Sequence, residues 1–190
     1  MRWLMLYARS RQVPASAAAV ALVALAVWAG TRGGAGPMDL GVVGLVLTAM
    51  VAAASVGLGG PGAALERTAA IRWVPRRAVH VLLIGVSAGG ALLAVRAAGA
   101  SPVPAEVVVR DSAGLVGLAA LGARLCGAGF AWALPTGWLA FTVLVPPPGG
   151  TVGEVLGWMV FPPGTAASTG TAWALLAVGT VVYALAGPRR

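Results

Sequence analysis

GGPGAALERTAAIRWVPRRAVH, residues 59–80, is the longest polar interruption in a strongly apolar chain. It carries Arg67, Arg72, Arg76 and Arg77, and its only acid is Glu66. Long apolar runs flank it on both sides. A short arginine-rich loop between two membrane spans is retained in the cytoplasm, because moving its charge across the bilayer is disfavoured. Placing this loop inside fixes the side of every other loop.

The rest of the composition agrees with a membrane setting. The chain has 190 residues, of which 59% are hydrophobic and 9% charged, whereas a soluble domain carries about 25% charged residues. The net charge of +8 is entirely arginine, with no lysine. In a soluble protein that balance would point to nucleic acid. Here the arginines sit at the ends of apolar runs, so they read as topology signals and contacts to anionic lipid, and no nucleic-acid partner is expected. A lone cysteine, Cys126, excludes an internal disulfide and reads as a small buried residue. A lone histidine, His80, excludes a histidine metal cluster and reads as a headgroup or carbonyl contact. Without lysine the chain cannot hold a Walker A nucleotide site, so any ATP and Mg would be bound by another chain.

Six spans follow from the hydrophobic runs: about Val13–Ala29, Met38–Leu58, Ala78–Ala98, Ala105–Cys126, Phe130–Val145 and Ala172–Ala186. The expected fold is all-α: one polytopic membrane helix bundle covering residues 1–190, with both termini cytoplasmic. Ten of the thirteen arginines (2, 9, 11, 67, 72, 76, 77, 124, 189 and 190) then fall at inner ends, against 32, 96 and 110 at outer ends. Met1–Arg11 reads as an amphipathic helix in the headgroup layer. A signal peptide is the alternative, opposed by the five spans that follow. Within the opening loop, Ala63–Trp73 reads as a short helix ended by Pro75. Gly85 and Gly89 have the spacing that lets helices approach closely. The thin fourth run, with Gly114, Gly117, Ala119, Ala120 and Ala123, is expected inside the bundle. Pro135 is a potential kink in the fifth. Thr151 and Glu154 form a capping box for a short outer helix over Thr151–Phe161, whose apolar face is Val152, Val155, Leu156, Met159 and Val160.

An amphipathic start, a helical polar loop after the second span and a short outer helix after the fifth together resemble the membrane (permease) subunit of ABC-2-type exporters. The strings LYARSRQVP, LERTAAIRWVPRRAVH, VRDSAGLVGLAALGARL and WMVFPPGTAA are similar to small actinobacterial six-helix proteins of that kind. The resemblance implies a bacterial cell membrane, a separate ABC ATPase subunit that binds ATP and Mg, and pairing with a second permease as a homodimer or heterodimer. It also implies that Glu66, Arg67, Arg72 and Trp73 dock the ATPase. The competing reading of those residues is a solvated positive-inside loop, or a helix lying on the membrane.

Arg110 and Asp111 are the only adjacent charge pair near a span. An interfacial pair ending the helix is the favoured reading; a pathway or gate residue pair is the other. Trp138 lies nearer mid-span than the other tryptophans and is a substrate-facing candidate. Glu154 and Trp158 belong to the expected outer gate, Thr151–Gly164. Asp39, Glu66, Glu106, Asp111 and Glu154 form no paired-carboxylate motif, so the chain itself is not expected to be an enzyme. A non-transporting membrane scaffold or immunity-type protein is the alternative function. A secondary transporter ranks third, because no internal repeat is visible.

Overall fold

The computed structural model describes residues 12–32, 38–58, 73–99 and 103–189. Among them every regular element is helical: α1 (Val13–Thr31), α2 (Leu40–Ser55, continued by a 3-10 turn at Val56–Leu58), α3 (Trp73–Ala97), α4 (Ala105–Leu125), α5 (Ala133–Leu144, preceded by a 3-10 turn at Ala128–Phe130), α6 (Gly150–Leu156) and α7 (Ala166–Ala186). The chain is therefore a helical membrane bundle.

The helices start where local chemistry permits. Pro14 sits in the first turn of α1, where its missing N–H costs nothing. Asp39 caps α2, its Oδ1 accepting from the Gly41 amide at 2.8 Å. Pro75 was expected to end the loop helix before it; instead it lies in the first turn of α3, which therefore begins at Trp73. Pro135 likewise falls in the first turn of α5 and does not kink it. Both corrections have one cause: a proline reads as a stop from its N-terminal side and as a start from its C-terminal side.

Among the described residues four helices are long and apolar enough to cross a membrane: Val13–Thr31, Leu40–Leu58, Trp73–Ala97 and Ala166–Ala186. This is fewer than the six spans read from the sequence. Helix α4 has 21 residues, about 31 Å at 1.5 Å per residue, but it carries Glu106, Arg110, Asp111 and Arg124. The apolar stretch containing α5, Ala128–Leu144, falls short in length.

Helix α4 occupies the centre, packing on α2, α3, α5 and α7, and its interface with α7 is the most extensive in the bundle. Fifteen of its residues are buried, among them Leu115, Ala119, Ala120 and Ala123, as its thin profile predicts. Hydrophobicity cannot drive helix onto helix where the solvent is hydrocarbon; close packing and polar contacts do so. Glycine provides the closeness. A Cβ on Gly117 would overlap the Leu175 carbonyl group, and one on Gly179 would overlap the Gly117 carbonyl. Helices α4 and α7 thus cross backbone on backbone. The Gly85 and Gly89 spacing does the same for α3 on α4 more gently, since Cβ atoms there would meet Val116 at 3.1 Å and Ser112 Oγ at 2.8 Å.

The bundle has two distinct ends. At the first, where Leu58 and Trp73 lie, the buried Tyr183 hydroxyl donates to the Leu58 carbonyl at 2.9 Å. Arg77 reaches the Ala184 carbonyl at 3.4 Å, and Arg189 reaches that of Leu125 at 3.2 Å. Cys126, expected to be buried, is exposed at this end, because α4 stops there and the chain turns at Gly127 (φ 102°). The expected helix over 1–11 and residues 63–72 of the expected Ala63–Trp73 helix lie outside the described residues, while Trp73 itself opens α3.

Replacing Gly179 by alanine should lower stability by about 1–3 kcal/mol, the usual cost of overpacking. Gly170→Ala, also in α7 but with nothing within 4 Å of its new Cβ, should be neutral or slightly stabilising. Thermal unfolding of the two variants in one detergent checks the contrast.

Candidate functional site

The second end of the bundle gathers most of the polar side chains that the sequence singled out. Arg110 and Asp111 lie in the second turn of α4. Their helix continues to Leu125, so they do not end it, and both are buried by protein: Arg110 is 3% exposed and Asp111 0%. Arg110 Nε donates to Asp111 Oδ1 at 2.8 Å. Its remaining donors leave α4. One terminal nitrogen donates to the carbonyls of Phe161 at 3.0 Å and Pro162 at 3.4 Å, and the other reaches that of Met159 at 3.5 Å. The guanidinium thus spends its fork on one carboxylate and three backbone acceptors. The reason for the burial is the segment 146–165, which folds back over the head of α4 and removes the pair from its surroundings.

That segment is short because prolines and glycines shape it. Pro146-Pro147-Pro148 brings the chain in, and α6 turns at Gly150 (φ 74°). The expected capping box does not form: α6 spans Gly150–Leu156, its N-cap is Gly149, and no side chain caps it. Of the expected apolar face, Met159 is buried and Leu156 and Val160 are half-buried, but the two valines before them are exposed. Val152 is 62% exposed and Val155 37%. The buried side of the segment is Gly153, Gly157, Trp158 and Met159. Gly153 is pressed so closely on the Pro148 carbonyl that no Cβ fits, and Gly157 stands against Pro147. Helical periodicity misleads here because α6 stops after seven residues.

Three further contacts fix the segment. The Trp138 indole N–H donates to the Leu156 carbonyl at 3.1 Å, so this residue holds the end of α6. Trp158 is fully buried, its six-membered ring lying over Gly114 on α4 where a Cβ would collide. Ser168 on α7 donates to the main-chain carbonyl of Glu154 at 2.9 Å, while the Glu154 side chain is half-buried. Arg110, Asp111, Trp138, Glu154 and Trp158 therefore converge on one structure. Sequence reasoning missed Gly114 as a seat for Trp158, Ser168 as a tie, and the carbonyls of residues 159, 161 and 162 as partners. The signal for the last was the pair itself, since two charges buried among apolar residues require partners.

Among the described residues Asp111 Oδ2 and the Trp158 indole N–H are buried with no hydrogen-bond partner. No group of three or more metal-ligating side chains is present among the described residues.

Of the docking candidates, Glu66, Arg67 and Arg72 lie outside the described residues. Trp73 is the first residue of α3, half-buried at the opposite end of the bundle, with the Arg76 guanidinium 5.8 Å from its ring centroid. His80 is half-buried there too, and borders a cavity of about 260 Å³ with Ser16 and Ser87.

No protein-family model, curated protein or solved structure matches the chain.

Removing one partner of a buried ion pair costs about 3–5 kcal/mol. Arg110→Met should therefore free the 157–162 turn, raising its amide hydrogen exchange by about tenfold or more while α1 and α2 stay protected. Asp111→Asn should release it far less, because the three carbonyl contacts remain. Exchange read by mass spectrometry in nanodiscs checks both.

Proposed function

We propose that the chain is the membrane-spanning permease subunit of an ATP-driven ABC exporter, coupled through residues 59–80 to a separate ATPase chain. ATP hydrolysis lies on that partner, and this chain catalyses no reaction. The observation that carries the reading is the anchoring of both ends of the 59–72 segment to the last turn of one helix. Leu58, immediately before the segment, is held by Tyr183; Arg77, just after it, is held at Ala184 and packs against Gly187. A push on the loop is thus delivered to α7. The far end of α7 follows the pinned outer segment directly, with Thr165 as its N-cap and Ser168 tied to Glu154. Helix α7 connects the docking side to the gate side as one rigid lever, pivoting where it crosses α4.

In this reading the chain crosses six times. Helix α4 crosses in the interior, its charges covered by segment 146–165, and the Ala128–Leu144 stretch crosses with the help of its 3-10 turn. The loop end faces the cytoplasm of a bacterial cell, and the termini lie on that side. Two copies, or one copy and a related permease, build the pathway and bind two ATPase chains. Its lining would be apolar, so the cargo is hydrophobic or amphipathic. The second reading is a scaffold that binds a cytoplasmic partner without cycling. It draws support from the α4–α7 crossing, where backbone meets backbone and leaves no space for a solute.

Two experiments test these statements. Leu58, Cys126 and Arg189 sit at one end of the bundle, so an impermeant maleimide should label Cys126 in inside-out vesicles and not in intact cells. Labelling from outside would invert the topology and remove the docking loop from the cytoplasm. Affinity purification of the tagged chain from its own cells should recover a stoichiometric P-loop ATPase, lost in Glu66→Ala/Arg67→Ala. Recovery of a non-ATPase partner instead would establish the scaffold.

A further inference from the structure

Two openings adjoin along α4. At the Pro162 end of the bundle, a cavity of about 620 Å³ is bordered by Glu106, Arg110, Gly164, Thr169 and Trp173. Beyond it an apolar groove of about 350 Å³ follows α4 between α3 and α7, lined by Val86, Gly90, Ser112, Val116 and Leu176. Val109 and Trp173 border both. The result is one track with a polar head and an apolar body, of the size of small-molecule sites. The walls are open to the bilayer: Val86 is 68% exposed and Trp173 48%. The floor, formed by Gly85, Gly89, Ser112 and Val116, is closed by the tight packing of α3 on α4.

The charge at the head is unbalanced. Arg110 is already committed to Asp111 and to the carbonyls of residues 159, 161 and 162. Glu106 is exposed on the cavity rim, and its carboxylate has no ion-pair partner among the described residues. The free charge is therefore negative and complements a cation. The first turns of α4 and α7, neither closed by a side-chain cap, border the same cavity. Their positive dipole ends tolerate an anionic group beside that cation.

We propose that this track holds one phospholipid of the adjoining leaflet whose headgroup bears a primary ammonium. Its chain lies in the α3–α4–α7 groove, its ammonium on Glu106, and its phosphate at the first turns of α4 and α7. The site stands whether or not the chain transports anything, so its test is separate from that of the ATPase partner.

The experiment uses the full chain in nanodiscs of phosphatidylglycerol. Each contains a trace of either phosphatidylethanolamine or phosphatidylglycerol with a photoreactive diazirine in the acyl chain, and labelled peptides are mapped by mass spectrometry. In the wild type the ethanolamine probe labels residues 82–93 and 109–116 about tenfold more than the glycerol probe, the effect of one charge-assisted hydrogen bond. Glu106→Gln brings that ratio to about one and leaves labelling by the glycerol probe unchanged. Gly90→Phe, at a position with nothing within 4 Å of its Cβ, fills the groove and lowers labelling by both probes. Equal labelling by the two probes in the wild type overturns the proposal. So does a ratio that survives Glu106→Gln, or an absence of labelling at residues 82–93 and 109–116 by either probe.

Discussion

The contact on which the bundle depends is the crossing of Gly117 and Gly179. Hydrocarbon solvates leucine as well as a neighbouring helix does, so two spans associate only where they fit more closely than lipid can. The α4–α7 pair reaches the limit of that fit, with main-chain atoms of one helix on those of the other. The other contacts are arranged around this axis. Helix α3 lies on one side through Gly85 and Gly89, and Trp158 comes down on Gly114 one turn before the crossing. At one end Tyr183 and Arg77 use the continuation of α7 as an anchor, and at the other Ser168 ties it to α6.

Among the described residues the charged side chains lie toward the two ends and serve the same axis. Removing Arg110 and Asp111 from water costs several kcal/mol per ion, which their mutual attraction alone does not offset. The additional acceptors at residues 159, 161 and 162 make the burial tolerable, and in return the guanidinium closes a turn whose carbonyls would otherwise be orphaned in an apolar setting. The segment 146–165 is therefore held by hydrogen bonds and shape, while its exposed valines face outward.

The helical class and the approximate position of every long helix were legible, because apolar runs of membrane length permit few other structures. The interior place of α4 was legible from its small residues. What the sequence hid were effects of distance along the chain. Nothing near Arg110 announces that residues 159–162 will cover it, so a pair two turns from the end of a run reads as interfacial. Val152 and Val155 mimic a buried face because periodicity assumes a helix that continues, whereas Gly153 and Gly157 show that the close approach is on the other side. Gly179 carries no local mark at all. In a chain this rich in glycine, only the partner helix distinguishes a glycine that is needed from one, such as Gly170, that is not.

The covering of Arg110 also dictates an order of manufacture. Its carbonyl partners lie 49 to 52 residues further along the chain. At about 5–20 residues per second, the ribosome needs about 3–10 s to deliver them. During that interval α4 has left the ribosome with its arginine uncovered, and the acids of its own helix, Asp111 next to it and Glu106 one turn before it, are what can accompany it. An acid placed adjacent to the arginine on the same helix is a chaperone that arrives on time. It lets the central helix wait at the bilayer as a nearly neutral segment until the last third of the protein comes to close over it.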